Sequence, residues 1–109
     1  MELTRGDSAP LKFQRKDANG DPILIAPAQM YFTCKKDWNQ TDYVFQKTLA
    51  DMTMSEDGYW HFVIEPSDTA VLPIGNYVFD IEVTVEGNVH TIAKGTLKLT
   101  AEATWVQNK

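Results

Sequence analysis

The chain has 109 residues, 43% of them hydrophobic and 23% charged, enough for one domain with a real core and too apolar for wholesale disorder. Fifteen acidic residues against ten basic ones leave a net charge of −5. That argues against nucleic acid and anionic membrane as partners, because a phosphate-backbone binder needs a Lys/Arg surplus to release counterions.

Cys34 is the only cysteine, so no internal disulfide is possible, which fits a protein made in a reducing cytoplasm. The opening MELTRGDSAP has no apolar stretch of the signal-peptide kind, and no later run approaches the roughly 18 apolar residues of a membrane span. Neither a signal peptide nor a transmembrane segment is expected.

In chain order, Leu3 lies on one side of Gly6 and Pro10, and Leu11 and Phe13 on the other, which predicts two short strands. Between them, Arg5-Gly6-Asp7-Ser8 matches the tetrapeptide that integrins read. The same residues suit a bend, with Gly6 supplying a special φ and Asp7 an Asx-turn, and the bend is the expectation. Asp17, Asn19 and Asp21 resemble the start of a calcium loop. However, Gly20 precedes the third candidate ligand, and position 28 is Ala where the loop needs a bidentate Glu. Asn19-Gly20 is better read as a hairpin turn. Residues 23–25, between Pro22 and Pro27, read as a return piece or an edge.

Ala28, Met30, Phe32 and Cys34 alternate with polar positions, the pattern of a central strand with an apolar inner face. Cys34 is expected to be a buried, inert thiol. The polar loop that follows, residues 36–42, is the most site-like piece. Trp38, Asn39, Gln40 and Asp42 form the candidate ligand surface, since a flat apolar ring flanked by planar hydrogen-bonding groups is what a sugar-binding surface needs. The competing expectation folds Trp38 over the end of the sandwich to cover core. Residues 43–49 read as a strand whose inward face is ambiguous, because Tyr43, Val44 and Phe45 are all apolar. Residues 50–55, with Met52 and Met54, read as a short edge strand.

Residues 57–85 organise the chain. Trp60, Phe62 and Ile64 share one face of a strand, and Tyr77, Phe79, Ile81, Val83 and Val85 share one face of the next. Between them residues 66–72 read as one helical or 3₁₀ turn, started by Pro66. Asp68 and Tyr77 are the candidate structural corner: in immunoglobulin-like folds a tyrosine near the start of this strand bonds back to the backbone upstream. Glu86-Gly87-Asn88 closes a hairpin. In the last strand Ile92 sits on one phase and Leu97 and Leu99 on the other, so a bulge is expected, with Gly95 its natural place. Residues 102–109 form a polar tail apart from Trp105 and Val106.

His61 and His90 fall on outward phases, with no second His or Cys at ligand spacing, so no metal is expected. No GxSxG, HExxH or P-loop is present, the carboxylates sit on outer faces and turns, and no catalytic residue or cofactor is nominated. The pattern predicts an all-β protein, an immunoglobulin-like antiparallel β-sandwich of about seven to eight strands over residues 1–101, with residues 102–109 as a C-terminal tail.

The motifs LTRGD, FQRKDANGDPI, MYFTCKK, VFQKTL, DGYWHFVIEPSDTAVLPIGNYVFDIEV and GTLKLT extend over nearly the whole chain. On these the sequence resembles small phage and prophage proteins of Gram-positive bacteria, and the immunoglobulin-like N-terminal modules of siphophage upper baseplate and tail-fibre proteins. The resemblance implies a non-enzymatic virion structural protein, tail- or baseplate-associated. Its partners would be other virion or tail proteins, with self-association through edge strands a further route, and it would reside in the virion and, during assembly, in the host cytoplasm. The alternative is a carbohydrate-binding or adhesive module using the Trp38 loop.

Overall fold

The computed structural model describes residues 1–102. Among these, eight strands form two layers: β1 (Glu2–Thr4), β2 (Ala9–Gln14), β3 (Gln29–Lys35), β4 (Phe45–Thr48), β5 (Thr53–Met54), β6 (Tyr59–Ile64), β7 (Gly75–Val85) and β8 (Asn88–Thr100). One sheet has the order β1-β8-β7-β3-β4 and the other β2-β6-β5. The chain is an all-β sandwich of the immunoglobulin-like kind.

Period-two alternation explains which side of each strand is buried. Met30, Phe32 and Cys34 of β3, with Tyr77, Ile81 and Val83 of β7, face Trp60, Phe62 and Ile64 of β6 in one core. Phe32 sits at its centre. Its ring centroid lies 5.0 Å from that of Phe62 across the layers, 5.2 Å from Phe79 and 6.1 Å from Phe45, separations at which aromatic pairs attract beyond simple burial. The β7–β8 hairpin turns at Glu86 (φ 52°) and Gly87 (φ 82°). Two consecutive positive φ values match the right-handed twist of the flanking strands.

The structure departs from the sequence expectations in four places and chooses between two readings in a fifth. β1 runs parallel to β8, with Leu3 opposite Leu99, so the sandwich is not purely antiparallel: the bend at residues 5–8 carries the chain from one layer to the other. The strand predicted over residues 43–49 begins only at Phe45, which is buried opposite Cys34, while Tyr43 points outward. The edge strand expected over residues 50–55 is present but shortened to β5, Thr53–Met54; Leu49–Asp51 form a 3₁₀ turn before it, because the Asp51 carboxylate accepts the Thr48 N–H at 2.8 Å and curls the backbone. Residues 23–25 are the return piece, one of the two expected forms, and not an edge strand: the hairpin at Asn19-Gly20 closes with a single bridge between Lys16 and Pro22 and the Ile23 N–H donating to the Arg15 carbonyl at 2.8 Å, and Leu24 and Ile25 are exposed. Finally, the bulge is at Ile92, not Gly95. Ile81 pairs with Ala93 and Glu82 with Thr91, leaving Ile92 as the extra residue. Gly95 stays in register because it lies beneath the Phe79 ring.

The short helix α1 (Pro66–Thr69) crosses the corner between β6 and β7. The last strand ends at Thr100, and Glu102 is tied back to Arg5. Residues 103–109, including Trp105 and Val106 of the expected tail, lie outside the described residues.

Candidate interaction surfaces

The predicted corner divides into two arrangements. The Tyr77 hydroxyl donates to the Pro73 carbonyl at 2.6 Å, and the ring is 1% exposed with the Lys36 ammonium 4.8 Å from its centre. Burial raises the phenol's pKa above its usual value. Asp68 takes other partners: its carboxylate accepts the Glu65 N–H at 2.7 Å, steadying the first turn of α1, and pairs with Lys47 at 2.7 Å.

The Arg5-Gly6-Asp7 bend is fastened to the same end of the sandwich. Arg5 donates to both carboxylate oxygens of Glu102 (2.9 and 3.3 Å) and to the Leu72 carbonyl at 3.2 Å. The Gly6 N–H donates to the buried Thr69 hydroxyl at 2.9 Å, and Gly6 has φ 83°. The arginine of the tetrapeptide therefore holds two ends of the chain together. In the calcium-like segment, the Asp17 carboxylate accepts the N–H groups of Asn19 and Asp21 at 2.9 and 3.0 Å, which is turn chemistry.

The outer face of the five-stranded sheet carries the Trp38 loop. Trp38 is 51% exposed and Tyr43 53%, so Trp38 does not fold over the core as a lid. Two adjoining hollows, about 290 and 100 Å³, share a floor of Thr33, Lys35 and Asp80; Tyr31, Tyr43, Gln46 and Glu82 line the larger and Trp38 the smaller. Lys94 stands 5.5 Å from the centre of the Trp38 ring. Of the four residues predicted for this surface only Trp38 lines it. Asn39 and Gln40 belong to a turn in which Asp37 accepts their N–H groups, and Asp42 is exposed beside it. Tyr31, Tyr43, Gln46 and Asp80 were missed. The outward phase of β3, which puts Tyr31 and Thr33 on the same face, was the signal that could have found two residues of this face.

A larger groove, about 640 Å³, opens on the side of the sandwich between β2 and β8. Phe13, Ile81, Val83, Val85 and Ile92 give it an apolar lining, and Arg15, Lys16 and His90 also line it. It exists because the layers differ in length: β7 and β8 have 11 and 13 residues, whereas β2 and β6 have six each. No sequence pattern marked this groove, since its residues come from distant strands.

Ser55, Asp57 and His61 gather where β5 meets β6. The Ser55 hydroxyl is in hydrogen-bond contact with the Asp57 carboxylate and lies 3.0 Å from His61 Nε2. In a nucleophile relay the carboxylate orients the imidazole; here it holds the serine instead and accepts the Tyr59 N–H at 3.2 Å. The Ser55 hydrogen bond, followed by that from Tyr59, holds the Asp57 carboxyl below the usual carboxylate range. Cys34 is fully buried, and burial pushes its thiol up to about 12, the opposite of an activated nucleophile. Among the described residues no three His, Cys, Asp or Glu side chains converge to hold a metal ion, and no helix is long and apolar enough to cross a membrane.

No known family model matches the chain, and no curated protein does. The fold is similar to part of the X-ray structure of an endo-β-1,4-mannanase from Thermotoga petrophila, with a TM-score of 0.59 at 11% identity. The match covers 93% of this chain and 17% of that one, so the chain spans less than a fifth of the mannanase's length. At this identity the likeness concerns the fold alone.

Proposed function

We propose that this chain is a non-enzymatic structural protein of a phage or prophage, tail- or baseplate-associated, acting through protein–protein contacts in the virion. The observation that carries the reading is the open side of the sandwich, where an apolar groove lies between strand edges that have no neighbour among the described residues. Unpaired strand edges are templates for another chain. The phage-like motif set supports the same reading, and on it assembly takes place in the host cytoplasm. Immunogold electron microscopy of induced phage tests it: label on tails or baseplates is the expected result, and label absent from every particle would refute it.

One observation favours a second reading, a carbohydrate-binding module. Trp38 and Tyr43 are half exposed around a floor of Thr33, Lys35 and Asp80, an aromatic and polar combination on which sugar rings can stack and hydrogen-bond. Binding of bacterial cell-wall glycans on an array, abolished by Trp38→Ala, would establish this reading. A blank array would remove it.

A further inference from the structure

We infer that the groove between β2 and β8 seats an extended strand of a partner protein, with alternating apolar side chains and an acidic flank. This rests on the virion reading above and names the class of partner it requires. The backbone is the first argument. β1 pairs with β8 only between Lys98 and Thr100, extended by the Met1 carbonyl accepting the Lys98 N–H at 2.8 Å and the Met1 amine donating to the Thr96 carbonyl at 3.0 Å. Among the described residues, no strand covers the outer edge of β8 before Thr96. Thr96, Lys98 and Thr100 turn backbone groups toward β1. The two-residue period then points the N–H and C=O of Lys94 out along the same, uncovered edge. In the facing layer, among the described residues, β2 pairs only with β6, so these two edges flank the groove uncovered.

The side chains supply the second argument. Phe13, Val85 and Ile92 offer apolar surface to alternate residues of an incoming strand, and Val89 and Ile92 are exposed beside it. Charge supplies the third. Arg15 and Lys16 line the groove and no Asp or Glu does, in a chain where acids outnumber bases fifteen to ten. That local reversal complements an acidic segment. It also disfavours a second copy: residues 88–94 hold Lys94 and no acid, so a second β8 edge brings no carboxylate to this side of the groove.

The test uses the full ¹⁵N-labelled chain and a synthetic peptide, acetyl-Glu-Glu-Val-Thr-Val-Thr-Val-amide, with a Lys-Lys-flanked peptide as comparison. The acidic peptide should slow amide exchange at residues 89–94 and bind at least about tenfold more tightly than the Lys-flanked one. Lys94→Pro removes an N–H that the β7 ladder does not use, as edge positions allow, and should weaken binding by about tenfold or more. Should that variant fold poorly by circular dichroism, Ile92→Ser, which removes apolar contact at the exposed bulge without adding charge, takes its place with the same expected loss. No binding of the acidic peptide, equal binding of both peptides, or shifts confined to the Trp38 face would overturn the inference. So would a dimer in sedimentation, joined at β8, that the peptide does not displace. Particle labelling is independent of these results: labelled tails with no peptide binding would end the inference and leave the virion role standing, and the reverse would do the opposite.

Discussion

Gly95 and Phe79 are direct partners across β7 and β8, and a Cβ on Gly95 would lie 2.7 Å from the ring's Cζ and 2.9 Å from one Cε. The ring uses the missing side chain as its seat and also stacks on Phe32, with centroids 5.2 Å apart. Gly95→Ala must push the ring toward Phe32. It should destabilise the fold by about 1–3 kcal/mol, the usual cost of overpacking, seen as a lower urea midpoint with an unchanged slope. In a Phe79→Leu background the same substitution should cost less, because the obstructing ring is gone.

Tyr77→Phe removes the hydroxyl that reaches Pro73 and leaves the ring's packing in place. The expected loss is about 0.5–1.5 kcal/mol, the usual net worth of one part-buried hydrogen bond. Lys36→Ala, which removes only the cation over the ring, should cost about 0.5–1 kcal/mol. Thermal denaturation of both variants measures the difference.

Glu86 is the one non-glycine residue with positive φ among the described residues, at 52°. A glutamate is strained there, whereas asparagine tolerates that region and Asn-Gly is the preferred pair for this hairpin. Glu86→Asn should therefore stabilise the protein, by up to about 1 kcal/mol. An unchanged or lowered melting temperature would contradict this.

Cys34 should make the fold sensitive to alkali. Its thiol rises from 9.0 to about 12 on folding, through burial, so above pH 9 the unfolded chain loses this proton while the native chain keeps it. The contribution is fully present below the unfolded pKa and is lost as pH climbs through the folded one, at up to about 1.4 kcal/mol per pH unit. Tyr77, also raised by burial, acts in the same direction from about pH 10. Cys34→Ala should lower stability at pH 7 by leaving a cavity, yet show a shallower decline between pH 9 and 12. A thiol reagent should label native protein only through unfolding.

The layer architecture was legible in the sequence because burial follows a local rule. Trp60, Phe62, Ile64, Met30, Phe32 and Cys34 announce their inward face by alternation alone, and they are inward. Where alternation conflicts with a second demand, the sequence misleads. Gly95 looked like a bulge, since a glycine in a strand has two meanings and only the position of Phe79 chooses between them. Residues 43–45 were ambiguous because three apolar side chains in succession carry no phase.

What the sequence alone determined is the set of strands with a greasy face, the turn at Asn19-Gly20 and the helical turn begun by Pro66, each specified by residues a few positions apart. Only the tertiary structure decided that β1 joins β8 in parallel, that Arg5 binds Glu102 at the other end of the chain, and that β7 and β8 outrun the shorter layer to leave a groove. Those outcomes depend on the relative lengths and crossings of elements far apart in the chain. Local propensity carries no record of such distances, and the surfaces open to a partner are made of them.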